Sequence, residues 1–186
     1  MYRLCSLRFL ALTVLALMLV GQGATAAEPT ADEKQVAADY VRAVQDARAK
    51  LHEAGFTLGK VIGPLVQANK DIDLAEAEAK YGDLRNTIGD IKKSVAAKKV
   101  PEGESGAAID KAWKAFAKVQ TRVVEFEMAA IIVVLDDESL DNAVKKAQIL
   151  KLIDRIVAKE KKDSEALTAA QAALQTAFGL GTEEPK

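Results

Sequence analysis

Residues 72–98 read IDLAEAEAKYGDLRNTIGDIKKSVAAK. Apolar side chains recur in this stretch in unbroken three-four alternation, the spacing that places them along one face of an α-helix. Asp71 or Asp73 would cap the N-terminus of this helix, and lysines near its C-terminus would favour the helix dipole. Period, caps and charges therefore agree on one amphipathic helix. Its expected core positions are Leu74, Ala77, Tyr81, Leu84, Ile88, Ile91 and Val95.

Three other segments have the same apolar period: residues 31–69, 107–135 and 140–178. A stretch rich in proline, glycine and serine at 100–106 and a polar turn at 136–139 separate them, as expected of loops. We therefore expect four helices in all. The expected core positions are Tyr40, Val44, Ala47, Leu51, Ala54, Leu58, Val61 and Leu65 in the first segment, and Ile109, Ala112, Phe116, Val119, Val123, Phe126, Ala130 and Val133 in the third.

Four amphipathic helices joined by short loops pack most simply as an all-α, antiparallel, up-down-up-down four-helix bundle, with neighbours inclined by roughly 20°. Gly63-Pro64 leaves open whether the first segment is one helix or two, since proline in a helix interior costs about 3 kcal/mol. Residues 159–165 leave a second question, because polar residues occupy the core positions there. A solvated stretch, a kink and an anion-binding lysine patch are the alternatives.

Residues 1–26 have the three parts of a secretory signal peptide. Arg3 and Arg8 make a positive start, residues 9–20 are apolar, and Ala24-Thr25-Ala26 is a small-x-small cleavage site. The apolar part is too short to span a bilayer, which takes roughly 20 residues. The sequence thus predicts an exported protein, periplasmic or secreted.

The rest of the chain is expected to form a single domain at residues 27–180, followed by a flexible tail at 181–186. Because residues 1–26 contain two arginines and no acid, removing them changes the formal net charge from −1 to −3. Such a chain lacks the overall positive charge that would attract nucleic acid or an anionic membrane. Its one cysteine, Cys5, lies in the predicted signal peptide, so disulfides and thiolate chemistry are excluded from the mature protein.

Two helices carry apolar residues outside their expected core faces, where a surface helix should be polar. In the third segment these are Met128, Ile131 and Ile132, and in the first they include Phe56 and Ile62. The two helices run parallel in the expected topology, so both apolar stretches would lie at the same end of the bundle. A large exposed apolar patch is rare on a monomer, so this end is a candidate contact surface.

Gly55, Gly59 and Gly63 are spaced by four in the first segment and would form one stripe without side chains. Glycine destabilises a helix interior by roughly 0.5 to 1 kcal/mol relative to alanine, so such a stripe indicates that something approaches closely. One interpretation is another helix of the same chain. The other is a protein partner, an identical subunit or an apolar ligand.

Few residues offer chemistry. His52 is the only histidine, and in the expected helix it points outward; with Met128 it would be able to ligate a non-covalent haem, as in b-type cytochrome bundles. Glu127 flanks the core face, where an ordinary salt bridge is the expected arrangement.

A nucleophile-histidine-acid set, a phosphate loop and a dinucleotide fingerprint are all missing from the sequence. We expect no enzyme activity, no metal site and no cofactor.

These observations predict an exported, non-catalytic binding or interaction module that uses the apolar end of a helical bundle. Its partner would be another protein, a second copy of the chain or a small apolar ligand. The alternative is an electron-transfer or sensor bundle with non-covalently bound haem. The candidate binding residues are Phe56, Gly59, Ile62, Met128, Ile131 and Ile132.

Overall fold

The computed structural model describes residues 28–181, and this part of the chain is all-helical. The predicted signal peptide and residues 182–186 of the predicted tail lie outside the described residues. A six-residue π-helical turn, Val123–Met128, joins two of the helices end to end, so the chain forms four rods. The helices are α1 (Ala31–Ala68), α2 (Leu74–Ala96), α3 (Gly103–Arg122), α4 (Ala129–Asp136) and α5 (Asn142–Phe178).

The four rods pack as the predicted four-helix bundle. The rod α1 has α2 and α5 as neighbours, and the α3–α4 rod contacts the same two helices from the opposite corner. Hydrogen bonds between rods show their directions: the Arg48 guanidinium donates to the Thr168 hydroxyl at 3.2 Å, and the Asn142 side chain donates to the Asn69 carbonyl at 3.2 Å. The start of one helix thus meets the end of the other, so α1 and α5 are antiparallel.

Local capping explains where the helices begin and end. Thr30 and Glu33 form a reciprocal capping box at the start of α1, and the Asp73 carboxylate accepts a hydrogen bond from the Glu76 amide at the start of α2. Of the two candidate caps for α2, Asp73 is therefore the one used. The helix α5 ends at Gly179, whose φ of 61° is a left-handed conformation that suits glycine.

The helix α1 continues through Pro64, which settles the question raised by Gly63-Pro64 in favour of one helix. A proline removes one backbone hydrogen bond, that to the carbonyl four residues earlier. Here that carbonyl belongs to Lys60, an exposed residue whose backbone water can solvate. On either side of the proline, Ile62 and Leu65 are buried in the core. Burial of these two side chains offsets the lost bond.

The π turn changes which residues of the third rod face the core. The predicted core face is correct as far as Val123, but Phe126 and Val133 are 63% and 69% exposed, so their prediction as core residues is wrong. Ile131 and Leu135 are buried instead, at 2% and 6% exposure. A π turn holds one more residue than an α turn. Each side chain after the turn therefore points in the direction that the side chain of the preceding residue would have in an uninterrupted α-helix.

Within residues 28–181, no helix is both long and apolar enough to cross a membrane.

Candidate functional site

The six predicted binding residues fall into three groups. Ile62 and Ile131 are buried in the core, so the prediction that they point away from it is wrong. The core face of α1 is wider than one stripe because α1 packs against both α2 and α5, and the π turn directs Ile131 inward. Met128 and Ile132 are half-buried against the core, whereas Gly59 and Phe56 are exposed.

Phe56 and Met128 line the same cavity, which lies between α1, the π turn and α5 and has a volume of about 380 Å³. The structure thus brings together one residue from each of the two apolar stretches. Leu84 of α2 and Phe116 of α3 add to its apolar lining. We call this cavity the π-turn pocket.

Three residues of the π turn itself, Val123, Val124 and Met128, line the π-turn pocket. A π turn is wider than an α turn, and such turns are frequent at functional sites. The backbone here is held by Tyr81 of α2, whose hydroxyl donates to the Val124 carbonyl at 3.2 Å. The irregular turn therefore shapes one wall of the pocket directly.

Polar side chains make up the rest of the lining. Arg48 and His52 come from α1, Gln120 from α3, and Glu160 and Ser164 from α5. Gln120 is only 6% exposed, which is unusual for an amide side chain. Burial raises the pKa of the Glu160 carboxyl, and a hydrogen bond with the Gln120 side chain partly opposes that shift. A mainly apolar pocket with a few polar groups and a perturbed carboxyl has the composition of a small-molecule site.

Replacing Glu160 by Gln is expected to stabilise the protein at neutral pH. The raised pKa means that the folded state holds a proton more tightly than the unfolded chain, whose carboxyl titrates near 4.5. The free energy of unfolding of the wild type therefore falls as pH rises from 4.5 through the folded-state pKa, and above that pKa the full cost of the half-buried charge is present. Urea denaturation between pH 4 and 8 should show that the free energy of unfolding of the variant rises relative to that of the wild type as the pH increases.

The matched control is Glu165→Gln, at an exposed position of the same helix. It changes the net charge by the same amount. Its free energy of unfolding should differ little from that of the wild type, and the difference should not change with pH. A Glu160→Gln curve that runs parallel to the wild-type curve would contradict the raised pKa of the half-buried Glu160 carboxyl.

No helix of the described chain approaches the glycine stripe. A Cβ atom placed on Gly55 or Gly59 would meet nothing within 4 Å, and one on Gly63 would meet only the side chain of Gln67 from the next turn of α1. Of the two interpretations of the stripe, close packing of another helix of this chain is therefore wrong for the helices within residues 28–181. Gly55 lines the π-turn pocket, so the space beside the stripe joins the cavity.

The exposed Phe56 ring has two neighbours from its own helix. His52 stacks on it with ring centroids 6.3 Å apart and planes inclined by 8°, and the Lys60 ammonium lies 4.4 Å from the ring centroid. His52 is itself exposed, as the sequence predicts. Among residues 28–181, no three side chains of histidine, cysteine, aspartate or glutamate are grouped so that they would hold a metal ion.

Sequence reasoning missed the polar wall of the pocket. Glu160 and Ser164 belong to the polar stretch 159–165, where the core positions of α5 become polar. The helix α5 continues through this stretch without interruption, and of the three alternatives for it, a solvated stretch agrees with the exposed positions of Lys159, Lys161 and Lys162. The polar residues at core positions are the feature of the sequence that could have indicated this wall, because part of the stretch faces a cavity instead of a packed core.

Comparison with known proteins found no match to this chain among family models, curated proteins or solved structures.

Proposed function

We propose that this protein is an exported, non-catalytic binding module and that the π-turn pocket is its binding site. The observation that carries the proposal is an open, mainly apolar cavity of about 380 Å³ beside a glycine stripe that no other helix covers. Glycine in a helix costs stability, and at Gly55, the stripe glycine that lines the pocket, the missing side chain keeps space free in the pocket. The signal-peptide features of residues 1–26 support export.

The lining of the pocket supports a small ligand with an apolar body and one hydrogen-bonding group. The volume falls in the range of about 300 to 1,000 Å³ that is usual for small-molecule sites. Phe116, Leu84 and Met128 would cover the apolar body, while Gln120 and Glu160 would meet the polar group. A buried amide such as Gln120 and a half-buried carboxyl such as Glu160 favour a ligand that hydrogen-bonds to them over one that leaves them unpaired.

The proposal can be tested by a substitution at Gly55 that places a side chain in the pocket. Gly55→Leu adds a side chain where the structure has open space, so the helix should be retained or strengthened while the cavity is occupied. Gly89→Leu is the matched control, because it makes the same change on α2 at a glycine that also has nothing within 4 Å and does not line the pocket. The probe is N-phenyl-1-naphthylamine, a neutral apolar dye whose fluorescence rises on binding.

We expect the wild type and Gly89→Leu to bind the dye with equal affinity and Gly55→Leu to bind at least ten-fold more weakly. Equal binding by all three proteins would overturn the proposal. Native mass spectrometry of protein recovered from a periplasm reports the mature N-terminus, any retained ligand and the number of subunits. A bare dimer that loses its association in Phe56→Ser would instead support a second copy as the partner.

A second candidate function is an electron-transfer or sensor protein with non-covalently bound haem. The observation that favours it is that His52 and Met128, whose side chains are of the types that act as axial ligands, line the same pocket. Protein made with haem supplied should then show a Soret band that His52→Ala removes. A spectrum without that band would exclude this function.

A further inference from the structure

A second cavity lies between α2 and α3 and shares no residue with the π-turn pocket. Its volume is about 650 Å³. Buried Trp113 and Val95 and the small side chain of Ala117 give it an apolar surface, and Tyr40 of α1 also contributes. We call it the basic groove because of the side chains around it.

Six cations line the basic groove: Lys92, Lys93, Lys98, Lys114, Lys118 and Arg122. Among the ion pairs of residues 28–181, the only one that involves any of these six joins Lys114 to Asp110, with 2.7 Å between the ammonium nitrogen and the carboxylate oxygen. Since the whole chain has a net charge of −1, this concentration does not follow from an overall excess of basic residues. It belongs to the groove.

Helix stability accounts for some of these cations but not for the row of three on α3, although Lys114 has an i,i+4 ion pair with Asp110 and Arg122 lies in the last turn of α3. Lys92 and Lys93 lie near the C-terminus of α2, where positive charge favours the helix dipole. Lys114, Lys118 and Arg122, however, follow one another at intervals of four along α3. Like charges at this spacing repel each other and destabilise a helix.

Asp110, the one acid that lines the groove, is already engaged. One of its carboxylate oxygens accepts a hydrogen bond from the Tyr40 hydroxyl at 3.1 Å, and the other accepts one from Lys114 at 2.7 Å. Burial and the Asp110 charge raise the pKa of Tyr40, so this hydroxyl keeps its proton and remains a donor. The field in the groove is therefore set by the five other cations.

We propose that the basic groove binds a single-chain anionic amphiphile, such as an alkyl carboxylate. The apolar chain would lie against Trp113, Val95 and Ala117, and the head group would be held by the surrounding cations. Charge complementarity selects the anion, because the groove has five cations that form no ion pair within residues 28–181, and its one acid is already paired with Lys114. The volume is within the range of sites for small molecules.

Binding in the basic groove can be followed by the fluorescence of Trp113. Trp113 is the only tryptophan, so intrinsic tryptophan fluorescence reports on the groove. We would titrate the full mature protein with dodecanoate below its micelle concentration, and in parallel with dodecyltrimethylammonium, which has the same tail and opposite charge, and with butanoate, which has the same head group and a short tail. We expect a saturable change with dodecanoate alone, and weaker binding at high salt.

The matched variants remove two charges each. Lys118→Gln/Arg122→Gln should weaken dodecanoate binding at least ten-fold, whereas Lys161→Gln/Lys162→Gln, at exposed positions of α5, should leave it unchanged. Equal weakening by both pairs, or equal binding of the cationic amphiphile, would overturn the proposal. So would capture by anionic vesicles without binding of monomeric dodecanoate, since that result indicates a membrane surface. Gly55→Leu should bind dodecanoate normally, which separates this site from the π-turn pocket.

Discussion

Replacing Ile131 by Asp should unfold the protein, while replacing Val133 by Asp should leave its stability nearly unchanged. Ile131 is 2% exposed and Val133 is 69% exposed, although they lie only two residues apart. A carboxylate at position 131 would be buried without a partner, and such a change costs more than about 4 kcal/mol. At position 133 the carboxylate would be solvated, with an effect within about 0.5 kcal/mol. Urea denaturation followed by circular dichroism measures both.

This pair of variants tests the π turn itself. An uninterrupted α-helix in the register predicted from the sequence would bury Val133 and direct Ile131 outward, so the order of the two effects would be reversed. If Val133→Asp proves the more damaging change, the π turn is wrong. The result also governs how binding studies are designed, because a loss of binding in Ile131→Asp would report unfolding and not the site.

Replacing Lys159 by Met should destabilise the fold far more than replacing its partner Glu127 by Met. The two side chains form an ion pair, as expected of a glutamate flanking the core face, and their exposure is unequal: the Glu127 side chain is 9% exposed and that of Lys159 is 51%. Loss of the lysine strands a buried carboxylate, which costs about 3 kcal/mol. Loss of the glutamate leaves a lysine that water can solvate, so that change should be close to neutral.

The second carboxylate oxygen of Glu127 strengthens this expectation, since it is buried and has no hydrogen-bond partner within the described residues. Thermal or urea denaturation of both single variants and of Glu127→Met/Lys159→Met completes a double-mutant cycle. The double variant should recover most of the stability lost in Lys159→Met, because it removes the unpaired charge. A double variant no more stable than Lys159→Met would show that the lysine contributes through packing and not through the pair.

The two cavities share a structural origin. The closest helix packing in the bundle is within two pairs, α1 with α2 and α3 with α5, and contacts between α1 and α5 or between α2 and α3 are sparser. The π-turn pocket lies along the first of these looser interfaces and the basic groove along the second. Side chains that fill the space within a tight pair cannot also fill the space between pairs, so that is where cavities remain.

Local sequence was enough to predict the four rods, their antiparallel order and several of their ends. The three-four period of residues 72–98, a cap at Asp71 or Asp73 and the stop at Gly179 depend on neighbours within one or two helical turns. For the same reason the pattern correctly placed Tyr40, Leu84 and other core residues. Interactions of this range can be read along the chain without knowing which helices touch.

Only the tertiary structure decided the register after Val123. Two faces of the apolar run 128–135 are almost equally hydrophobic, so period alone does not choose between Ile131 and Val133; the choice depends on which face fits between α2 and α5. Likewise, the sequence shows that Lys93 and Lys118 are basic, but not that they surround one groove, and it shows three glycines, but not that the space beside them stays open. These properties depend on distances between helices, which local periodicity does not encode.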